Sequence, residues 1–600
     1  MQPPVPLALR PAVHCGIFCN LSPIRLRGTV LKAEDWHLSQ RPWPTADQLG
    51  SEGAAARRRW IVFWWLPVPC ALVYAVAVLG GFHDIITSIY VNSDAAVVPV
   101  LGQAIGHIPA GSYVSLGNRP WYEEWLFLVV TRRLPTHRQL WEIAPVLWSL
   151  FGLGILVWTA RRALGTWSAA LCGAALVCVG AFGRFCFVAI NWHSLSLIHT
   201  IIVSAVLVWL VPLAHTISWR RLTMVAVGLG VLSALPTASD GIFVFWALVP
   251  LVAATVIVAW RASCRAQACL AVFTAVVVGV AAAGESVFSS IMRHGGIGSR
   301  QLVVTSVALD GLDRNIKLLA NSYAYLAGGW PSIPHLAVQS VLIFISGSLA
   351  LIALLAVLDQ VRRVAGTRAI RDRMPDGTLA YVAFWSCSLV ATSLVFVLSD
   401  APKDALSGRY LLAGYAATAA LLPLVATRNS RMRLIVTAGV CVFALIAAYQ
   451  VIRRPFNVIT SPEQSIRFPG PSTAGALAQF ARQEHVAYGY GGYWDAEQLT
   501  WGTNFRVLIR PVRVCGAHSY ALCYPQLGMI SSWYTPRPRR SLLVVDTLGT
   551  SYDGILGRDR ALGRPLSARR LGDITVYVYP YDIGSQIRKP RCGFTWSHPC

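Results

Sequence analysis

The run QLWEIAPVLWSLFGLGILVWTA, residues 139–160, followed at once by Arg161 and Arg162, decides the fold class. Twenty or so apolar residues are the length that crosses a hydrocarbon core as a helix, and a basic pair at one end marks the end that stays cytoplasmic. Outward from it the pattern repeats. Further apolar runs lie near 60–82, 167–190, 196–215, 222–239, 241–260, 266–290, 334–358, 379–399, 409–427 and 433–450. Arginines occupy every second gap: Arg57, Arg58 and Arg59, then Arg161 and Arg162, Arg220 and Arg221, Arg261 and Arg265, then Arg362, Arg363, Arg368, Arg371 and Arg373, and last Arg428, Arg431 and Arg433. About eleven spans satisfy this alternation, whereas ten or twelve would put one cluster on the wrong face. The fold class is therefore a polytopic α-helical membrane protein with its N-terminus cytoplasmic. The gaps at 83–138, 191–195, near 240, 291–333 and 400–408, and everything after about 450, fall on the extracytoplasmic side.

Composition agrees. Hydrophobic residues make up 55% of the chain and charged ones 13%, with 22 tryptophans and a positive mean hydropathy, which is membrane-protein usage. The formal charge of +24 would suggest nucleic acid in a soluble chain. Here much of it sits in cytoplasmic connectors, where anionic membrane lipids are the natural partner and nucleic acid is not. The charge is nearly all arginine, which suits a GC-rich bacterial genome, and a bacterial inner (cell) membrane is the expected location. Residues 1–56 show no apolar core ahead of a small-residue cleavage site. They are expected to form a disordered cytoplasmic tail, in which Cys15 and Cys19 have no matching second ligand pair. Three regions follow: this tail, a transmembrane domain at 57–452 with a long first loop at 83–138, and a domain at 453–600.

In that last region the apolar runs shrink to strand length and the turns fill with glycine, proline and aspartate, so it reads as an extracytoplasmic α/β module. A helix is expected at 472–484, behind the capping Ser472 and Thr473, and strands at 486–490, 505–512, 541–546 and 574–579. The segment YGYGGYWD, residues 488–495, lacks the spacing of a phosphate or dinucleotide loop. Tyr493 and Trp494 beside Asp495 suit stacking on and hydrogen-bonding to a sugar; a glycine-rich turn packed on the core fits as well. Cys515, Cys523, Cys592 and Cys600 lie where an oxidising compartment permits two disulfides. Their spacing favours 515 with 523 and 592 with 600, and other pairings and free thiols stay open.

The first loop is too long for a simple connector. It holds Asp84, then YVNSDAAVVPVL at 90–101, then NRPWYEEW at 118–125, and both halves have the pattern of amphipathic helices at the membrane interface. An acidic residue in a long helical first loop, many spans and an extracytoplasmic C-terminal domain together resemble the GT-C glycosyltransferases, integral-membrane enzymes that use polyprenyl-phosphate sugars. Members often carry an acidic pair in this loop, where this chain has Asp94-Ala95-Ala96. Residues 489–500, followed by the strand ending Arg510-Pro511-Val512, are similar to the C-terminal domains of uncharacterised bacterial members.

The resemblance implies transfer of a sugar from a polyprenyl-phosphate donor to a glycan, lipid or protein acceptor on the extracytoplasmic face, with inversion. A carboxylate must then take the acceptor hydroxyl proton, and Asp94 is the candidate. Fixed cations must hold the departing phosphate; Arg409 and Lys403 are placed for this, with His193 and Arg119 behind them. Glu123, Glu124, Tyr493, Trp494 and Asp495 are candidates for the acceptor. A divalent cation bridging Asp94 and the phosphate is compatible with the chemistry, although no ligand cluster argues for one. Each residue has a structural alternative: helix capping for Asp94, snorkelling for Arg409, a loop hydrogen bond for His193 and a solvated face for the glutamates. Asp240 stands out because an acid at a span boundary tends to mark a polar cavity. Two other functions fit the architecture, a transporter of lipid-linked sugars or lipids and a non-catalytic scaffold that binds polysaccharide.

Overall fold

A computed structural model describes residues 65–90, 93–105, 109, 112–115, 138–189, 193–294, 297–298, 305–327, 376–427, 430–453, 471–515, 521–525, 528–537, 539–546 and 560–588. The chain is a polytopic helical membrane protein with a C-terminal α/β domain. In chain order the first part comprises α1 (Pro67–Gly80), α2 (Phe82–Tyr90), α3 (Ser93–Ile105), β1 (Val114–Ser115), α4 (Arg138–Leu164), α5 (Thr166–Val177), α6 (Ala181–Val188), α7 (Leu195–Leu210), α8 (Trp219–Ser239), α9 (Val249–Ala259), α10 (Cys264–His294), β2 (Ile297–Gly298), α11 (Gly311–Leu326), α12 (Asp376–Leu398), α13 (Leu412–Thr427) and α14 (Ser430–Arg453).

Among the described residues seven helices are long and apolar enough to cross a membrane, and the number rises to as many as nine if each of two bent pairs, α1 with α2 and α5 with α6, is one span. A shorter apolar helix at Val244–Ala259 covers a tenth of the expected runs; the run at 334–358 and the tail at 1–56 lie outside the described residues. The run read at 60–82 continues past a bend into Phe82–Tyr90, which the sequence reading assigns to the first loop, and the run at 167–190 is broken. Pro67–Gly80 and Phe82–Tyr90 meet at 68° across Gly81. At 178–180 the backbone unwinds, and its polar groups find partners within the protein, as non-helical backbone at membrane depth must. The Val179 carbonyl accepts from the Tyr74 hydroxyl at 2.9 Å and from Arg184 Nη1 at 3.3 Å, and the Gly180 N–H reaches the Leu326 carbonyl at 3.3 Å.

Where no hydrophobic effect drives helices together, small residues let them approach. A Cβ on Gly284 of α10 would stand 2.5 Å from the Ala234 Cβ of α8, and one on Gly230 of α8 would stand 2.7 Å from the Val280 Cβ of α10.

The C-terminal domain comprises α15 (Pro471–Gln483), β3 (Tyr488–Gly492), α16 (Tyr493–Gly502), β4 (Leu508–Val514), β5 (Leu522–Cys523), β6 (Met529–Ile530), β7 (Ser541–Asp546), β8 (Ser567–Leu571) and β9 (Ile574–Tyr579). Six strands form one sheet in the order β5-β4-β3-β7-β9-β8, with β3 parallel to β4 and β7 and the outer pairs antiparallel. One face carries Ile509, Leu542, Val544, Val576 and Val578 beneath α15 and α16. The other carries Tyr488, Tyr490, Val512 and Leu543, and joins the core of the membrane bundle.

The glycine-rich segment is therefore neither an open turn nor a surface loop. Tyr488–Gly492 is a fully buried strand, and the next residues start a helix. Gly489 is required there, because a Cβ would lie 2.6 Å from the Leu542 carbonyl oxygen of β7. A second, three-stranded sheet joins distant parts of the chain: β1 of the first loop pairs in parallel with β2, after α10, and antiparallel with β6 of the C-terminal domain. Beside it the Tyr113 N–H donates to Ser531 Oγ and the Ser531 N–H to the Tyr113 carbonyl, both at 2.8 Å.

Candidate active site

Ser93 starts α3 and places Asp94 in its first turn, where a carboxylate complements the exposed N–H groups of the helix. The buried face of α3, Ala95 to Leu101, packs on α16. Tyr493 opens α16, and its hydroxyl donates to Asp94 Oδ1 at 2.8 Å across 399 residues of sequence. The junction is tight. Gly528 has φ +59°, and a Cβ there would stand 2.7 Å from Val97 Cγ2 and 3.2 Å from Tyr493 Cε2, so both its backbone and the space around it call for glycine.

Arg409 comes from a 3₁₀ turn at Ala405–Leu411. Its start is fixed by a capping box, in which the Ser407 N–H donates to Asp404 Oδ1 at 3.2 Å and the Asp404 N–H donates to Ser407 Oγ at 3.3 Å. Arg409 Nη2 donates to the Tyr410 hydroxyl at 3.0 Å, and the carboxylates of Asp94 and Asp404 both act on its charge. Lys403 is exposed, and its charge acts on Asp400. The Asp400 carboxyl is held below its ordinary range by the Thr305 hydroxyl first, then by the Thr305 N–H, with the Lys403 charge adding to them.

His193 also packs on Tyr410, with ring centroids 5.3 Å apart. His193 holds φ +69°, the left-handed region that a residue with a Cβ occupies at a cost of order 1–3 kcal/mol. The surroundings hold it there: its Nδ1 lies 2.5 Å from Asp240 Oδ2 and its ring stands edge-on to Trp246 at 5.8 Å. Asp240, the residue that ends α8, also accepts from Ser196 Oγ at 3.0 Å. Trp246 belongs to a π-helical turn at Val244–Leu248, an irregularity frequent at functional sites.

Of the sequence candidates, Asp94, Tyr493, Arg409 and His193 are thus drawn towards one another, with Tyr410 between the last two. Trp494 is half-buried against Tyr493, centroids 5.3 Å apart. Asp495 is buried in the domain, and desolvation, with Asp546 nearby, pushes its carboxyl up to about 8. It is not presented to an acceptor. Arg119, Glu123 and Glu124 lie outside the described residues, as do Cys592 and Cys600; Cys515 and Cys523 form a disulfide. The candidates omitted Tyr410, whose signal was its place next to Arg409, and Glu497, four residues after Tyr493 and so on the same face of α16. Glu497 is fully buried, and among the described residues both its carboxylate oxygens are unpartnered. Burial drives its carboxyl well above the usual range, against the pull of Arg510.

No family model matches the chain, and no curated protein does. Among solved structures it is similar to the oligosaccharyltransferase AglB of Archaeoglobus fulgidus, solved with an inhibitory peptide and a dolichol-phosphate. The identity is 12% and the TM-score 0.41, over 73% of this chain and 64% of that one. The chain thus spans somewhat less than two thirds of that relative. The same archaeal enzyme tethered to an acceptor peptide gives 12% identity and a TM-score of 0.43 over 80% and 68% of the two chains. ArnT of Cupriavidus metallidurans bound to undecaprenyl phosphate gives 15% identity and a TM-score of 0.33 over 84% and 97%. These are loose superpositions, and no residue role is carried over from them.

Proposed function

We propose that the chain is a GT-C-type glycosyltransferase of a bacterial inner membrane, transferring a sugar from a polyprenyl-phosphate donor to an acceptor on the extracytoplasmic face. One observation carries the reading. A carboxylate at a helix start, Asp94, is met by a tyrosine of the C-terminal domain at 2.8 Å and lies within the electrostatic reach of Arg409, at the head of a membrane span. A base and an anion-holding cation are what the transfer needs.

The acceptor hydroxyl oxygen attacks the anomeric carbon and its proton passes to the Asp94 carboxylate. The bond from that carbon to the phosphate oxygen breaks, its electron pair leaves with the polyprenyl phosphate, and the configuration inverts. Arg409 offsets the charge gathering on the phosphate. Tyr410 orients the guanidinium through its hydroxyl and stacks beneath it, 4.8 Å from centroid to Cζ. His193, fixed through Nδ1 by Asp240 and packed against the Tyr410 ring, is the second donor we assign to the phosphate. Among the described residues no group of three His, Cys, Asp or Glu side chains gathers, and Asp94 accepts from Tyr493 and lies within the electrostatic reach of Arg409.

The test is transfer of radiolabelled sugar from a panel of polyprenyl-phosphate donors, in membranes holding equal amounts of the wild type or Asp94→Asn. Product is expected with one donor class and lost by at least about a hundredfold in the variant, the lower range of general-base catalysis. Equal signals would remove Asp94 from the mechanism. Absence of product with every donor would favour the transporter or scaffold.

A further inference from the structure

The transfer site leaves unused a half-open cavity of about 430 Å³ at the other end of α3, between that helix and the C-terminal domain. Its polar lining is Gln103 from α3 and Arg510, Ser532, Trp533, Thr535 and Arg537 from the domain. Volumes of this order hold small molecules, and two features give this one a sign. Arg510 is 7% exposed, and its Nε has no hydrogen-bond partner among the described residues. Its guanidinium lies 3.9 Å over the Trp533 ring, a position that fixes it without neutralising it. Arg537 and Arg539 both rest on the Tyr488 ring, at 4.9 and 4.6 Å.

Among the described residues none of these three arginines stands within salt-bridge distance of a carboxylate. Two acids are nearby. Glu497 acts on Arg510 electrostatically without bonding to it. Asp582 is committed to the Tyr490 hydroxyl and to the Gly584 and Arg537 N–H groups. Arg510 therefore stands in the cavity wall as a fixed positive charge, and the group that best satisfies an arginine is a carboxylate or phosphate bound through its fork.

We propose that this cavity is a subsite for an anionic residue of the acceptor, a saccharide unit bearing a carboxylate or a phosphate. The assignment of the ligand to the acceptor rests on the transferase reading. Nine residues of α3 separate Gln103 from Asp94, roughly 13 Å of helix, so the subsite grips the acceptor away from the reacting hydroxyl. Arg510 and Arg537 take the anion, and Ser532, Thr535 and Gln103 supply hydrogen bonds to sugar hydroxyls. Binding energy from such a remote group lowers the barrier when it aligns the reacting hydroxyl.

The experiment is calorimetric titration of the full-length protein in detergent with trigalacturonate, glucose 6-phosphate, maltotriose and glycerol 1-phosphate, the last standing for a lipid headgroup. The anionic saccharides are expected to bind, more weakly as salt rises, and the other two not. Arg537→Gln, at an exposed position, should weaken binding about tenfold or more, the size of one charge-assisted hydrogen bond, with partial recovery in Arg537→Lys. Asp94→Asn should leave binding unchanged. Equal binding of maltotriose, unchanged affinity in Arg537→Gln, or no binding of either anionic saccharide overturns the proposal, and glycerol 1-phosphate binding as tightly as the saccharides makes the cavity a headgroup site. The two readings fail separately. Arginine-dependent binding without Asp94-dependent transfer sinks only the transferase, and transfer without arginine-dependent binding sinks only the subsite.

Discussion

Tyr493 donates to the carboxylate assigned as the base, so its hydroxyl favours the ionised form of Asp94 and fixes its orientation. In Tyr493→Phe the ring and its packing remain while that donor is lost. Transfer should fall about tenfold, the scale of a hydrogen bond to a charged group. The acid limb of the kcat/KM profile should also move to higher pH, because the carboxylate then ionises less readily. A drop in rate with an unmoved profile would make Tyr493 a packing residue only. Two residues further along the same helix, Asp495 carries a second pH effect, on stability rather than rate. Burial, with Asp546 nearby, raises its carboxyl to about 8, above the ~3.9 of an unfolded chain. Between those values the unfolded state gives up a proton that the folded state keeps, so Asp495 lowers stability progressively as pH rises from about 4 to about 8. Asp495→Asn should flatten that part of the curve of Tm against pH. An unchanged slope would show that Asp495 does not titrate in this window.

At the scale of elements, period and length carried most of the information. The strands at 541–546 and 574–579 and the helix near 472–484 were legible because alternation and capping are local signals, and they recur as β7, β9 and α15. The helix α16 was not legible, since Tyr493-Trp494-Asp495 follows a glycine-rich strand and helix propensity there is set by packing on α3 and the sheet. The breaks at Gly81 and at 178–180 were hidden as well, because an apolar run has the same composition whether straight or bent, and the partners of the freed Val179 carbonyl are distant in sequence. The α8 and α10 pair offers a test at this scale. Gly284→Val places a branched side chain where even a Cβ lies 2.5 Å from Ala234, and overpacking of this kind costs about 1–3 kcal/mol. The variant should unfold at a lower temperature in detergent, while Gly279→Val on the same helix, where nothing lies within 4 Å, should not. Equal losses in both would mean that the close approach of the two helices is not what the glycine serves.

Over the whole molecule, alternate connectors must lie at opposite ends of a helical bundle, and the contacts divide accordingly. Asp94, His193, Asp240, the β2 strand, Thr305, Asp400 and Arg409, all from gaps without arginine clusters or from their edges, interact among themselves and with the C-terminal domain. The arginine-bearing gaps make a second set: Arg261 lies 3.9 Å from Asp376, Thr378 Oγ1 donates to the Ala163 carbonyl at 2.6 Å, and Arg433 stands over Trp167. The candidate site was legible as a set of residues on one face, but not which of them meet, because Asp94 and Tyr493 are joined only by the folding of the C-terminal domain onto the first loop. Which face is cytoplasmic is a matter of charge, and thiol labelling decides it. Among the described residues Cys264, between Arg261 and Arg265, is the exposed thiol, and Lys403 is exposed in the opposite set. In a chain with Cys15, Cys19, Cys592 and Cys600 replaced by serine, a membrane-impermeant maleimide applied to intact cells should leave Cys264 unlabelled until the membrane is permeabilised. The same chain carrying Lys403→Cys should be labelled at once. The reverse pattern would invert the topology and place the Asp94 site in the cytoplasm, where the positive-inside reading of the connectors would no longer hold.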